Sequence, residues 1–145
     1  NCIGAPVSID SNCWMLLVND LCKQIIEHQE MKINTNGKQL RNFITITDVC
    51  RVVNLFIELN FRSNENTIFN VGNETISILD MAEIIQKRCK LILGFSPKLE
   101  INKQDNVVVE NFEFITNKLE SIGFKTHTSY EKEIDDLLIF CKNHF

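Results

Sequence analysis

Asn36-Gly37-Lys38-Gln39-Leu40-Arg41-Asn42-Phe43-Ile44-Thr45-Ile46-Thr47-Asp48-Val49 holds a turn, a strand and a helix start in immediate succession. Asn-Gly is the dipeptide that most readily takes the positive backbone angles of a tight turn. It separates two short extended runs, Met31 to Asn34 and Arg41 to Ile46. Phe43, Ile44 and Ile46 are β-favouring residues that suit a half-buried strand. Asp48 reads as a helix N-cap, because its carboxylate can accept the free amides of a first turn. Behind it Val49, Val52, Val53, Phe56 and Ile57 recur at i, i+3, i+4, i+7 and i+8, predicting an amphipathic helix from Asp48 to Phe61. A strand running straight into such a helix makes this a mixed α/β chain.

Reading outward from this stretch extends the pattern. Upstream, Leu17, Leu21 and Ile25 with Val18, Cys22 and Ile26 predict a helix between Cys13 and Gln29. Downstream, polar residues from Arg62 to Asn66 end the first helix, and Thr67 to Val71 reads as a strand stopped by Gly72. Ser77 caps a helix whose buried face is Ile78, Met81, Ala82, Ile85 and Cys89. Leu99 to Ile101 and Val107 to Val109 are short extended runs. Thr116 to Ile122 is a short helix with Gly123 as its left-handed stop. Thr128 and Glu131 have capping-box spacing ahead of a last helix with Ile134, Leu137, Leu138 and Cys141 inward. The order is α, ββ, α, β, α and a less regular tail ending in two helices. No repeat, linker or low-complexity tract divides the chain.

Composition narrows the function. The 145 residues carry a formal net charge of −4, and basic residues are scattered, which argues against nucleic acid. No apolar stretch approaches the roughly 20 residues that span a bilayer, and no signal peptide is visible. The six cysteines form no CxxC pair and no zinc-site spacing, so no metal site is expected. Cys22, Cys50, Cys89 and Cys141 fall among apolar residues on predicted helices and read as small buried hydrophobes. Reduced thiols suit a cytoplasmic protein. His28, His127 and His144 read as surface residues. The five glycines are too widely spaced to form a phosphate-cradling loop.

The 36–49 stretch, Ile68-Phe69-Asn70-Val71-Gly72 with Ser77 behind it, and Thr116-Asn117-Lys118-Leu119-Glu120-Ser121-Ile122-Gly123-Phe124 together resemble the extended short-chain dehydrogenase/reductase family. Within it they are most similar to the NAD-dependent nucleotide-sugar epimerases and dehydratases. Asn1-Cys2-Ile3-Gly4-Ala5-Pro6 looks like the stretch that follows the family's catalytic tyrosine and lysine. Four elements in the right order, over nearly the whole chain, carry the likeness.

The resemblance implies an α/β substrate-binding lobe from the C-terminal part of a Rossmann-type fold, residues 1–145, with Phe69 and its neighbours giving a late strand of the parent sheet. It implies that the cofactor domain and the Tyr-x-x-x-Lys pair lie upstream of Asn1. The sole tyrosine, Tyr130, is followed four positions later by Ile134 and not by lysine. NAD or NADP would belong to the parent protein, itself expected to be a homodimer; none is expected to bind this chain alone, and no residue here is read as catalytic. For the nucleotide-sugar, the resemblance marks Arg41 as a diphosphate contact, Asn1 as a contact to the diphosphate or the sugar, Asn19 as lying near the segment that wraps the nucleotide, and Lys103 as standing in for a late arginine. Gln39 is expected to shape the turn before Arg41, Asn70 and Gly72 to end a strand near the sugar, and Trp14 either to cover a base or to join the core. Asn42 departs from the family's aspartate, which touches local packing first. The rival reading is a non-catalytic sugar-nucleotide-binding or sensing protein that keeps only this lobe. Which sugar, which nucleotide and which of epimerisation, dehydration or reduction applies are not written in these residues.

Overall fold

The computed structural model describes residues 1–59, 68–103 and 112–145. Its elements are β1 (Cys2–Ile3), α1 (Leu17–His28), β2 (Glu30–Ile33), β3 (Leu40–Thr45), α2 (Ile46–Glu58), β4 (Glu74–Ser77), α3 (Ile78–Leu93), β5 (Lys98–Ile101), α4 (Asn117–Ser121) and α5 (Tyr130–His144). The residues 62–66, Thr67, the run Val107 to Val109, and Phe61, Gln104 and Asp105 lie outside the described residues.

Two small sheets form. One has the order β1-β3-β4, with β1 parallel and β4 antiparallel to β3; the other pairs β2 and β5 in parallel. The two runs flanking Asn36-Gly37 therefore enter different sheets. The turn itself is real. Gly37 has φ 74, Asn36 Oδ1 accepts from the Lys38 amide at 3.0 Å, and the Leu79 amide donates to the Gly37 carbonyl at 2.9 Å. Its role is to bring β3 onto the start of α3.

Helices α1, α3 and α5 close one core with the strands. Val18, Leu21, Cys22 and Ile25 meet Met81, Ala82, Ile85 and Cys89, and Ile134, Leu137, Leu138 and Cys141, around Ile3 and Phe43. The faces read from periodicity on α3 and α5 are the ones buried. Ser77 caps α3 in a full capping box with Asp80, and Gly123 stops α4 at φ 90. A second, smaller cluster sets Val52 of α2 against Leu119 and Phe124, with Leu55, Phe56, Phe69, Val71 and Ile122 around it.

Several expectations are corrected. Helix α1 begins at Leu17, because residues 13–16 are spent in turns such as Leu16 amide to Cys13 carbonyl, 3.0 Å. Thr45, not Asp48, caps α2: its hydroxyl accepts from the Asp48 amide at 3.1 Å. Asp48 sits a turn inside, fully buried, held by Arg51 Nη1 at 2.5 Å and by the amide and hydroxyl of Thr128 at 3.2 and 3.3 Å. Ser129 caps α5 in place of Thr128, since the Thr128 hydroxyl is committed to Asp48. The described residues 68–73 form no strand; the strand falls at β4, because Asn73 is already tied to Phe43 and Asn42. Cys50 is exposed, and the outer half of the α2 stripe is too: Val53 is 51% and Ile57 71% exposed.

Candidate functional site

Strand β3 ends the path from the turn with Arg41 and Asn42 side by side, and alternation sends the two side chains opposite ways. Asn42 is buried. Its Nδ2 donates to the Asn73 carbonyl and to Thr75 Oγ1, both at 3.1 Å, while its Oδ1 accepts from the Asn73 amide at 3.1 Å. An ionised aspartate could not make the two donated bonds, so the amide fits this packing.

Arg41 is exposed. Its Nη2 donates to Gln39 Oε1 and its Nη1 to the Leu40 carbonyl, both at 3.0 Å. Gln39 thus orients the guanidinium as well as receiving the Ile78 amide on its own carbonyl. Both acceptors are neutral, and Arg41 makes no ion pair among the described residues. A guanidinium with its charge unmatched and part of its fork free suits a phosphate or carboxylate.

Asn1 lies on the neighbouring strand end. Its terminal amine and Nδ2 donate to the Asn42 carbonyl at 2.8 and 3.2 Å, and its carbonyl accepts from the Ile44 amide. Asn1 is therefore fixed to the backbone of β3 at Asn42 and Ile44, while the Arg41 side chain bonds only Gln39 and Leu40 among the described residues. Asn19 is 1% exposed; its Nδ2 donates to the Gly4 carbonyl at 3.4 Å and toward Cys13 Sγ at 3.6 Å. It ties the exit of β1 to α1, and its Oδ1 is left without a partner among the described residues. Lys103 is exposed and follows β5 in the other sheet. There Lys32, Ile33, Asn34, Glu100, Ile101 and Asn102 line an open cavity of about 390 Å³ at the ends of β2 and β5. Sequence alone gave no sign of that cavity, because the strands that build it are far apart in the chain. Trp14 joins the core side: its Nε1 donates to the Ile9 carbonyl at 2.7 Å, and its ring meets Phe145 edge-on at 4.9 Å.

The sole tyrosine is held inside the fold. Tyr130 is 8% exposed; its hydroxyl donates to the Phe43 carbonyl and accepts from the Glu74 amide, both at 3.1 Å. Burial pushes its pKa up. The described starts of α1, α2 and α3 do not fit a dinucleotide. The pyrophosphate of such a cofactor seats on a glycine-rich helix start. The start of α2 instead carries Thr45, Ile46 and Thr47, with the buried Asp48 carboxylate and with Glu133 accepting from the Thr47 hydroxyl. The start of α3 is closed by Ser77 and Asp80, and α1 begins after Trp14-Met15-Leu16.

Fold and site together define an α/β chain that presents an exposed arginine, without an ion-pair partner among the described residues, on the antiparallel β3–β4 pair. The sequence matches no protein-family model and no curated protein. Solved structures do match in fold. A UDP-N-acetylglucosamine 4-epimerase from Methanobrevibacter ruminantium, in complex with UDP-N-acetylmuramic acid, aligns with TM-score 0.75 and 18% identity over 100% of this chain and 44% of that one. A point variant of UDP-glucuronic acid 4-epimerase from Bacillus cereus, bound to a fluorinated UDP-glucuronic acid and NAD, gives 0.73 and 21% over 100% and 44%. RMD from Pseudomonas aeruginosa, complexed with NADPH, gives 0.74 and 13% over 100% and 46%. The chain has the fold of a part of these NAD(P)-binding and nucleotide-sugar enzymes, and it spans less than half their length.

Proposed function

We propose that residues 1–145 are the nucleotide-sugar-binding lobe, from the C-terminal part, of an NAD(P)-dependent sugar-nucleotide epimerase, dehydratase or reductase. The dinucleotide-binding half and the Tyr/Lys pair are supplied by the same polypeptide, which works as a homodimer. The observation that carries this reading is the exposed Arg41 guanidinium, oriented by Gln39 and free of any acidic partner among the described residues, on a fold whose solved examples hold UDP-sugars. Arg41 and Asn1 hold the diphosphate, Asn19 fixes the loop between them and α1, and Lys103 adds a second cation from the β2–β5 side. Sugar oxidation would use NAD(P) bound elsewhere in the polypeptide; this lobe binds and orients.

Titration decides it. The full polypeptide should bind UDP-N-acetylglucosamine or UDP-glucuronic acid, with the backbone signals of Arg41 and Asn1 shifting on saturation. Residues 1–145 alone should show no measurable NAD binding by calorimetry. A full polypeptide that takes up neither sugar nucleotide sinks the proposal, and micromolar NAD binding by residues 1–145 moves the lobe boundary.

A further inference from the structure

The amides that open an α-helix have no partner within it, and in α3 the first of them end on the stretch that leads into β3. The Ile78 amide donates to the Gln39 carbonyl at 3.0 Å and the Leu79 amide to the Gly37 carbonyl at 2.9 Å. On the other side of Gln39, β3 pairs with β4, Leu40 opposite Ser77 and Arg41 opposite Ile76. The Gln39 main chain is thus clamped between a helix start and a strand pair, and its half-buried side chain projects from a fixed point. From there Gln39 Oε1 accepts from Arg41 Nη2, while the Leu40 carbonyl accepts from Nη1, both at 3.0 Å. Among the described residues this leaves the Nε–H and one N–H on each Nη for a ligand. Both acceptors are uncharged. A carboxylate in the place of Gln39 would hold the guanidinium equally well but weaken its pull on an anion.

We propose that Gln39 is a positioning residue, which aims the Arg41 fork at the ligand diphosphate from the start of α3 and, being an amide, leaves the guanidinium its full charge. The inference rests on the function proposed above and adds the residue that sets the strength of the diphosphate contact. An arginine that must find its rotamer on binding loses ordering entropy at that moment. One braced in advance by an amide has its geometry ready and its charge unmatched. Geometry and charge can be separated by substitution, because glutamate has the shape of glutamine and the main-chain bonds of the turn do not depend on the side chain.

The test uses the full polypeptide and whichever of UDP-N-acetylglucosamine and UDP-glucuronic acid it binds. Gln39→Ala removes the brace, and affinity should fall about threefold, the cost of ordering one long side chain on binding. Gln39→Glu keeps the brace and adds a charge. At low salt its affinity should fall roughly 10- to 100-fold, since the carboxylate pairs with the guanidinium and repels the diphosphate. That pair is exposed, so the Gln39→Glu loss relative to wild type should shrink as salt rises toward about 1 M, where screening acts within about 3 Å. In an Arg41→Ala background, Gln39→Ala should change binding no further, because the two residues act as one unit. Melting temperatures of both Gln39 variants should stay at the wild-type value. Gln39→Glu binding within twofold of wild type at low salt overturns the positioning role and leaves the proposed function standing. So does a Gln39→Ala variant as tight as wild type, or a Gln39→Ala loss that persists undiminished without Arg41. A full polypeptide that binds neither sugar nucleotide removes the function, and this inference with it.

Discussion

Arg41 and Asp48 sit seven positions apart and spend their charge differently. The Arg41 guanidinium is oriented by neutral oxygens, so its charge is available to an anion. In the full polypeptide, Arg41→Ala should weaken nucleotide-sugar binding by roughly 30- to 1000-fold, the loss usual for truncating one side of a hydrogen-bonded charge pair. Arg41→Lys should recover only part, because an ammonium lacks the planar fork. NAD(P) affinity should hold. Substrate titration of a normally folded variant checks this, and binding within threefold of wild type would leave Arg41 a solvated strand-end charge. Asp48 is committed inward. Burial pushes its carboxyl pKa up, but hydrogen bonds from Arg51, the Thr128 amide and Thr45 outweigh burial and hold it below the ordinary 3.8. A depressed folded pKa stabilises above the unfolded value, and that stability is lost as pH falls through the folded one. Asp48→Asn should cost about 1–3 kcal/mol near neutral pH, since buried donors lose their charged acceptor. The gap in melting temperature between variant and wild type should close as pH drops below 3.8. A gap constant across that window would mean the charge contributes nothing.

At the scale of elements, segment 68–73 shows how a strand signal can be outbid. Phe69 and Val71 have β-favouring side chains, but they turn into the α2–α4 cluster, and Asn70 Nδ2 donates to the Ile115 carbonyl at 3.0 Å. Gly72 is the hinge of this arrangement. An added Cβ there would overlap Asn42 Oδ1 and lie 2.5 Å from Phe114 Cε1. The absent side chain lets the backbone lie against Asn42 and Phe114. Gly72→Ala should destabilise by about 1–3 kcal/mol, the usual cost of forcing a methyl group into a packed site. Chemical denaturation measures it. A neutral result would show that residues 112–115 shift freely away. The caps follow the same logic: Thr45 and Ser129 took the ends of α2 and α5 because Asp48 and Thr128 were already bound to each other.

The whole molecule has one well-closed core and one open flank. Around α1, α3 and α5 the inward apolar side chains are buried and Leu91 and Ile139 face out singly, while Val53, Ile57 and Leu59 of the α2 region and Ile68 nearby in the chain remain exposed. Contiguous apolar patches beyond a few hundred Å² are uncommon on monomers. Purified residues 1–145 should therefore bind hydrophobic dye and self-associate as concentration rises, seen by analytical ultracentrifugation. Ile57→Asp should reduce both. A dye-silent monomer at high concentration, with a sharp cooperative melt, would mean the flank closes on itself and needs no further layer.

The amino-acid sequence by itself determined the elements whose signals are local. The faces of α3 and α5 follow from period, the Ser77 cap and the Gly123 stop from side-chain and backbone chemistry at single positions, and the Asn36-Gly37 turn from the positive angle that Gly37 takes. It also marked Arg41, because the residues that make the family likeness surround it. Tertiary structure decided what depends on partners distant in the chain. Pairing of β2 with β5 and of β1 with β3 joins segments that carry no mutual signal in sequence. Asp48 became a buried anchor only because Thr128 and Arg51 reach it. Asn1 reached β3 only through the Asn42 carbonyl, forty-one positions away. The α2 stripe reads in sequence as a single buried face, since periodicity reports which side is apolar and not what covers it. In the folded chain half of that side meets the α4 cluster, and half meets no other described residue closely enough to be buried.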